Sequence, residues 1–163
     1  MQYFVTGATG FIGKRLVKTL LARKGATVYF LLRKESERKV PELLEYWGTT
    51  KARAIPVFGD LTSKKLGVAA DDIKGLKGDI DALFHLAAVY DLKADEETQI
   101  QANIEGTRNV VEFAKAIDAK HLHHVSSIAA AGLYEGVFRE DMFDEAENLD
   151  HPYFNTKHES EKI

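Results

Sequence analysis

The chain has 163 residues, 45% hydrophobic and 29% charged, with a net charge of −3 and no cysteine. That balance excludes a disordered tail, a disulfide scaffold and a strongly basic nucleic-acid binder, so no nucleic-acid partner is expected. A chain of this size buries roughly 70% of its unfolded surface, enough for one good core. No apolar run approaches the roughly 18 residues of a membrane helix, so no transmembrane segment is expected. The missing cysteine suits a reducing compartment and no secretion signal is visible, so a cytoplasmic location is expected.

Residues 2–6 read as a short buried strand, and residues 7–13 as a glycine-rich turn. Residues 14–24 are amphipathic, with Leu16, Val17, Leu20 and Leu21 at helical spacing and Gly25 where a C-cap belongs. Residues 27–32 are β-branched and aromatic, which predicts a strand. Pro41 opens a helix through Leu43, Leu44 and Trp47. Residues 52–58 form a third strand, and Pro56, which cannot donate to a ladder, places it at a sheet edge. Residues 79–86 are a fourth strand. Residues 96–117 are one long helix, with Val110, Val111 and Ala114 on one face. Residues 121–126 are a fifth strand, and a last helix starts near Tyr153. Strands separated by helices predict a parallel sheet with right-handed crossovers. A first strand feeding a glycine turn and a helix predicts an α/β, Rossmann-type doubly wound sheet in the order 3-2-1-4-5.

The turn reads Thr6-Gly7-Ala8-Thr9-Gly10-Phe11-Ile12-Gly13. Gly7 permits the tight turn off the strand, Gly10 lets a pyrophosphate approach the backbone, and Gly13 lets the helix pack close to the sheet. The anion would rest on N–H groups at the helix N-terminus, where the dipole favours negative charge. About 20 residues further on, NAD-preferring sites place Asp or Glu on the ribose 2′-hydroxyl. Here Arg33 and Lys34 stand there, followed by Ser36, Arg38 and Lys39. A 2′-phosphate suits that set, so NADPH is the expected cofactor. Asp60, before Leu61, could accept from the adenine amino group, and Ala87 and Ala88 leave room where a cofactor ribose would pass.

Tyr153 and Lys157 stand four apart, on one face of a helix. A nearby ammonium lowers a phenol's pKa from its usual value near 10, so Tyr153 could donate a proton to an oxygen receiving hydride. Lys157 could also hold the nicotinamide ribose. Ser126 and Ser127 end the fifth strand, at the carboxyl edge where ligands of such sheets collect. His121, His123 and His124 invite a metal reading, but no acidic partner stands at a telling spacing, and no metal is expected. The acidic run 135–147 reads as a solvated loop.

Together T-G-x-x-G-x-x-G, the D-L pair, H-L-A-A, S-S and Y-x-x-x-K resemble an extended short-chain dehydrogenase/reductase over all 163 residues. The stretches His124 to Gly132, Phe138 to Phe143 and His151 to Lys162 look like the reductase domain of bacterial alcohol-forming fatty acyl-CoA reductases. Sugar epimerases of the superfamily usually carry an aromatic Tyr-Gly pair where Ala131-Gly132 stands here. The resemblance assigns Thr6, Gly7, Thr9, Gly10, Phe11, Ile12 and Gly13 to the pyrophosphate turn, and Arg33, Ser36, Asp60, Leu61, Ala87 and Ala88 to other cofactor contacts. It assigns Ser127, Tyr153 and Lys157 to catalysis, the last two also touching cofactor, and Asn103 to a proton relay. Counting back from Gly132 favours Ser127 over Ser126. It implies hydride delivery from NADPH to a fatty acyl-CoA or fatty aldehyde. Two other readings stay open: another extended reductase or epimerase acting on a sugar or sterol, and a non-catalytic NADP(H)-binding sensor. By the same resemblance the chain is expected to be the N-terminal portion of a longer reductase, stopping before a sixth strand and a substrate domain. Its fifth strand is then an exposed edge, or is paired in a homo-oligomer.

Overall fold

A computed structural model of the chain describes residues 1–89 and 95–163. Five strands form one parallel sheet: β1 (Gln2–Thr6), β2 (Thr27–Leu32), β3 (Ala54–Phe58), β4 (Ala82–His85) and β5 (Leu122–His124), in the order β3-β2-β1-β4-β5. Helix α1 (Phe11–Leu21) links β1 to β2, and α2 (Val40–Trp47) precedes β3. Helix α3 (Ala70–Leu76) follows β3. Between β4 and β5 lies one continuous rod of three parts: α4 (Glu96–Gln99), a π-helical segment (Ile100–Glu105) and α5 (Gly106–Ala116). Helix α6 (Pro152–Glu161) ends the chain.

Alternation along the strands divides the core between two faces. Val5 and Phe30 point to the face covered by α1 and α2, where Val17, Leu20, Leu43 and Trp47 are buried. Phe30 meets Trp47 edge-on at 5.2 Å. Phe4 and Leu83 point the other way, onto Val110, Phe113 and Ile117 of α5. Each fully buried aromatic of this kind contributes about 1.5–3 kcal/mol. Removing Phe113, which packs on Phe4 at 4.8 Å, costs about 3–5 kcal/mol with the cavity included.

Pro56 lies on β3, which pairs only with β2, so its missing N–H breaks no inner ladder. At the opposite edge β5 is short and its Leu122 and His123 are exposed. Several expected bounds differ: β3, β4 and β5 are shorter than the runs 52–58, 79–86 and 121–126, and α1 ends at Leu21 with Ala22, not Gly25, as its C-cap. The helix expected at 14–24 begins three residues earlier, because Gly10 already has the extended backbone of an N-cap. The helix expected over 96–117 contains the π segment Ile100–Glu105. Helix α3 and the 3₁₀ turns at Lys34–Lys39, Lys64–Gly67 and Ile128–Ala131 were not foreseen. Among the described residues, no helix is long and apolar enough to cross a membrane.

Candidate active site

The carboxyl ends of the strands open into a cavity of about 700 Å³. Its floor is the glycine turn, contributed by Gly7, Thr9 and Gly10. Gly7 takes φ +75°, and a Cβ there would stand 2.7 Å from the Ala87 nitrogen. A Cβ on Gly13 would collide with the Gly7 carbonyl. These two positions therefore require glycine: one for the backbone turn, the other for the approach of α1 to β1. No acidic residue stands in the first turn of α1, so its N-terminus faces the cavity without a competing negative charge. The cradle fits a pyrophosphate.

Arg33, Ser36 and Lys39 also line the cavity, as do Asp60, Leu61, Ala87 and Ala88. Asp60 is held by Thr62: its Oδ1 accepts from the Thr62 N–H at 2.8 Å and from the Thr62 hydroxyl at 2.6 Å. Those bonds, with help from the Arg33 charge, hold the Asp60 carboxyl below its usual pKa, so it stands ionised as an acceptor. The wall opposite includes Glu97, Thr98, Gln101 and Ala102, from α4 and the π segment. These four were missed in the sequence. The one local signal is Asp95, whose carboxylate caps the Thr98 N–H at 2.8 Å and fixes the start of α4.

Four of the residues assigned to the pyrophosphate turn do not line the cavity. Thr6 is buried beneath it, bonded to His85 at 2.7 Å. Gly13 is buried behind the turn. The side chains of Phe11 and Ile12 are exposed. Tyr153 and Lys157 do not line it either; both are buried on α6.

Helix α6 starts at Pro152, and its Tyr153 N–H is capped by the His151 imidazole at 3.1 Å. Lys157 is only 3% exposed, and its Nζ donates to the Val125 carbonyl at 3.1 Å. Helix α6 is thereby fastened to the segment just before Ser126 and Ser127. Burial pushes the Lys157 amine below its usual pKa, while Glu161 acts in the opposite direction. Ser127 caps the turn Ile128–Ala131: its Oγ accepts from the Ala129 N–H at 3.2 Å, which leaves its own hydrogen for another acceptor. The Ser126 Oγ is buried with no partner among the described residues. Between the two serines, geometry therefore favours Ser127 as a donor to an outside oxygen.

Asn103 lies in the π segment, buried. Its Oδ1 accepts from the Val89 N–H at 2.8 Å. Its Nδ2 donates to the Val89 carbonyl and to Thr156 Oγ1, both at 3.2 Å. It thus joins the end of β4 to the α6 turn between Tyr153 and Lys157. His121 and His123 line a separate small depression, with His123 stacked on Phe84 at 4.7 Å. Among the described residues, no group of three or more His, Cys, Asp or Glu is placed to hold a metal ion. In the acidic loop Phe143 stacks on His158 at 4.3 Å, which pins the loop to α6.

Residues 5–163 match the family described as Male sterility protein. The chain is 33% identical, over 98% of its length, to a linear gramicidin synthase polypeptide of Brevibacillus parabrevis, of which it covers 3%. It is 31% identical, over 76% of its length, to a putative fatty acyl-CoA reductase of Drosophila melanogaster, of which it covers 27%. Among solved structures, the terminal R domain of the myxalamid PKS-NRPS pathway superposes with a TM-score of 0.81 at 28% identity, over 99% of this chain and 44% of that one. UDP-glucuronic acid 4-epimerase of Bacillus cereus, solved with NAD, superposes with a TM-score of 0.74 at 26% identity, over 99% of this chain and 50% of that one. The chain therefore spans at most half the length of each of these relatives. It belongs to the Male sterility protein family, within the NAD(P)-binding extended short-chain dehydrogenases/reductases.

Proposed function

We propose that the protein containing this chain is an NADPH-dependent reductase of acyl thioesters, with fatty acyl-CoA as the substrate class. The observation that carries the proposal is the pairing of two sites. One is a dinucleotide-sized cavity lined by Arg33, Ser36 and Lys39; the other is a helix that holds Tyr153 and Lys157 against the strand end bearing Ser127. Likeness to a putative fatty acyl-CoA reductase supports the thioester. Likeness to a gramicidin synthase supports a second reading, in which the acyl group arrives on a synthetase.

The nicotinamide dinucleotide, when bound, supplies the hydride, so that an acyl thioester plus hydride plus one proton leaves as an aldehyde and a free thiol. The glycine turn holds the pyrophosphate on backbone N–H groups, while Arg33, Ser36 and Lys39 hold the 2′-phosphate. Ser127 donates its hydroxyl hydrogen to the carbonyl oxygen as negative charge builds there. Tyr153 delivers the proton, and the Lys157 ammonium on the same helix face stabilises the phenolate left behind.

The test uses the full-length protein with a fatty acyl-CoA and NADPH. Absorbance of NADPH should fall as free thiol is released, in step. Turnover of a UDP-sugar or sterol with no thiol release would replace this reading.

A further inference from the structure

Beneath the catalytic surface lies a chain of hydrogen bonds whose direction can be worked out atom by atom. It begins at Ala87, which lines the cavity, and whose N–H donates to Thr6 Oγ1 at 3.2 Å. Thr6 Oγ1 lies 2.7 Å from His85 Nδ1, and His85 Nε2 lies 3.1 Å from Thr107 Oγ1. Thr107 Oγ1 donates to the Asn103 carbonyl at 2.7 Å. A hydroxyl has one hydrogen. Thr107 spends its own on Asn103, so it can only accept from His85, and the His85 proton sits on Nε2. Nδ1 is then the acceptor, and Thr6 must donate to it. Burial supports the neutral ring: His85 is 2% exposed, and its pKa is pushed down to about 3, first by desolvation and then by the His124 and Lys157 charges.

Every donor in this run has one acceptor. The run joins five elements: the ends of β1 and β4, the first turn of α5, the π segment and, through the Asn103 side chain on Thr156, helix α6. Thr156 Oγ1 in turn donates to the Tyr153 carbonyl at 3.3 Å. The α5 arm has no other side-chain bond to Asn103's carbonyl among the described residues.

We propose that His85, with its proton fixed on Nε2, is a positioning residue that ties the dinucleotide turn to the Asn103–Thr156 bond and so sets where Tyr153 and Lys157 stand. The proposal rests on the reductase reading above. It adds a part of the reaction's apparatus that touches neither cofactor nor substrate.

The α5 arm can be broken from either side. Thr107→Val keeps the shape and loses the hydroxyl. His85→Asn puts an amide oxygen where Nδ1 stands, keeping the Thr6 arm and losing the reach to Thr107. Thr107→Ser keeps the hydroxyl and is the rescue control. All are made in the full-length protein and assayed with acyl-CoA and NADPH, beside wild type and Tyr153→Phe. A misplacement near 1 Å costs up to about a hundred-fold in rate, so kcat of Thr107→Val and His85→Asn should fall roughly ten- to a hundred-fold. KM for NADPH should stay within about two-fold, since the cavity is untouched. Thr107→Ser should match wild type in both respects.

A mere loss of folded protein would lower the number of NADPH-binding sites in step with kcat, and that result would overturn the proposal. So would wild-type kcat in either arm-breaking variant, or an equal loss in Thr107→Ser. Should Thr107→Val not fold by circular dichroism, His85→Asn alone decides. Should Tyr153→Phe keep wild-type turnover, the reductase reading fails and this inference with it. Should Tyr153→Phe be inactive while the arm-breaking variants are normal, only the inference fails.

Discussion

The two halves of this sheet do different work by different means. On the side of β1, β2 and β3, the site is made by backbone: a turn that tolerates no Cβ at two positions, and strand ends that set Arg33, Ser36 and Asp60 around a cavity. On the side of β4 and β5, the site is made by side chains fetched from far apart in sequence, with Asn103 of the π segment reaching Thr156 of α6. A backbone site is intolerant of added volume and indifferent to most side chains. A side-chain site tolerates volume better but depends on each hydrogen bond being made. Substitutions should therefore fail differently in the two halves.

The largest contrast is expected at Gly13. Gly13→Ala forces a Cβ into the Gly7 carbonyl, and no flexible side chain stands there to move aside. Overpacking of this kind costs about 3 kcal/mol or more, and the shifted turn should weaken dinucleotide binding roughly a hundred-fold. Fluorescence titration with NADPH checks it. Near-native affinity would mean that the backbone does not make this half of the site.

The next effect belongs to the other half and appears as pH dependence. His85 holds a proton in the folded chain only below about pH 3, against 6.5 for the free group. The unfolded chain thus binds more protons across that window, and stability falls as pH falls. The contribution is fully present above about pH 6.5 and is lost towards pH 3 at roughly 1.4 kcal/mol per pH unit. His124, pushed down to about 4 by burial and the Lys157 charge, acts in the same direction. Urea unfolding should show a loss of about 1.6 kcal/mol from His85 between pH 6.5 and pH 5, with the His124 share added to it. His85→Asn should remove its own share and leave a shallower slope; an unchanged slope would show that His85 is not buried neutral.

The smallest effect is at the cavity's cationic residues. Arg33 is exposed, so the contact proposed for it with a 2′-phosphate would be partly screened. Arg33→Ala should weaken NADPH roughly ten-fold and leave NADH unchanged. Equal affinity for both cofactors in the wild-type chain would remove the reason for choosing NADPH.

The same contrast explains what could be read without coordinates. Strands β1 and β2 fall where β-branched and aromatic runs place them, and the Pro56 edge follows from one missing N–H. The glycine turn is legible because its meaning is local: each glycine answers to a neighbour a few residues away, or to the strand beside it. The half on the side of β4 and β5 was legible only as a residue inventory. Ser127, Tyr153 and Lys157 stand out by spacing, yet nothing in the sequence says that Lys157 bonds the Val125 carbonyl or that Asn103 bonds Thr156. The π segment stayed hidden because its six residues are fewer than the window over which a period can be read. The far wall of the cavity, with Thr98 and Gln101, stayed hidden because those residues carry no motif and arrive through the fold. Strand β5 is shorter than the expected run 121–126, because the chain leaves the sheet after His124 to cap the next turn with Ser127.

One measurement tests the division of labour most directly: Tyr153→Phe in the full-length protein, with NADPH affinity and turnover of a fatty acyl-CoA read on the same sample. Loss of one general acid should lower kcat by roughly 10²- to 10⁴-fold, with NADPH affinity within about two-fold of wild type. Turnover at the wild-type rate, or affinity lost in step with rate, would contradict the account.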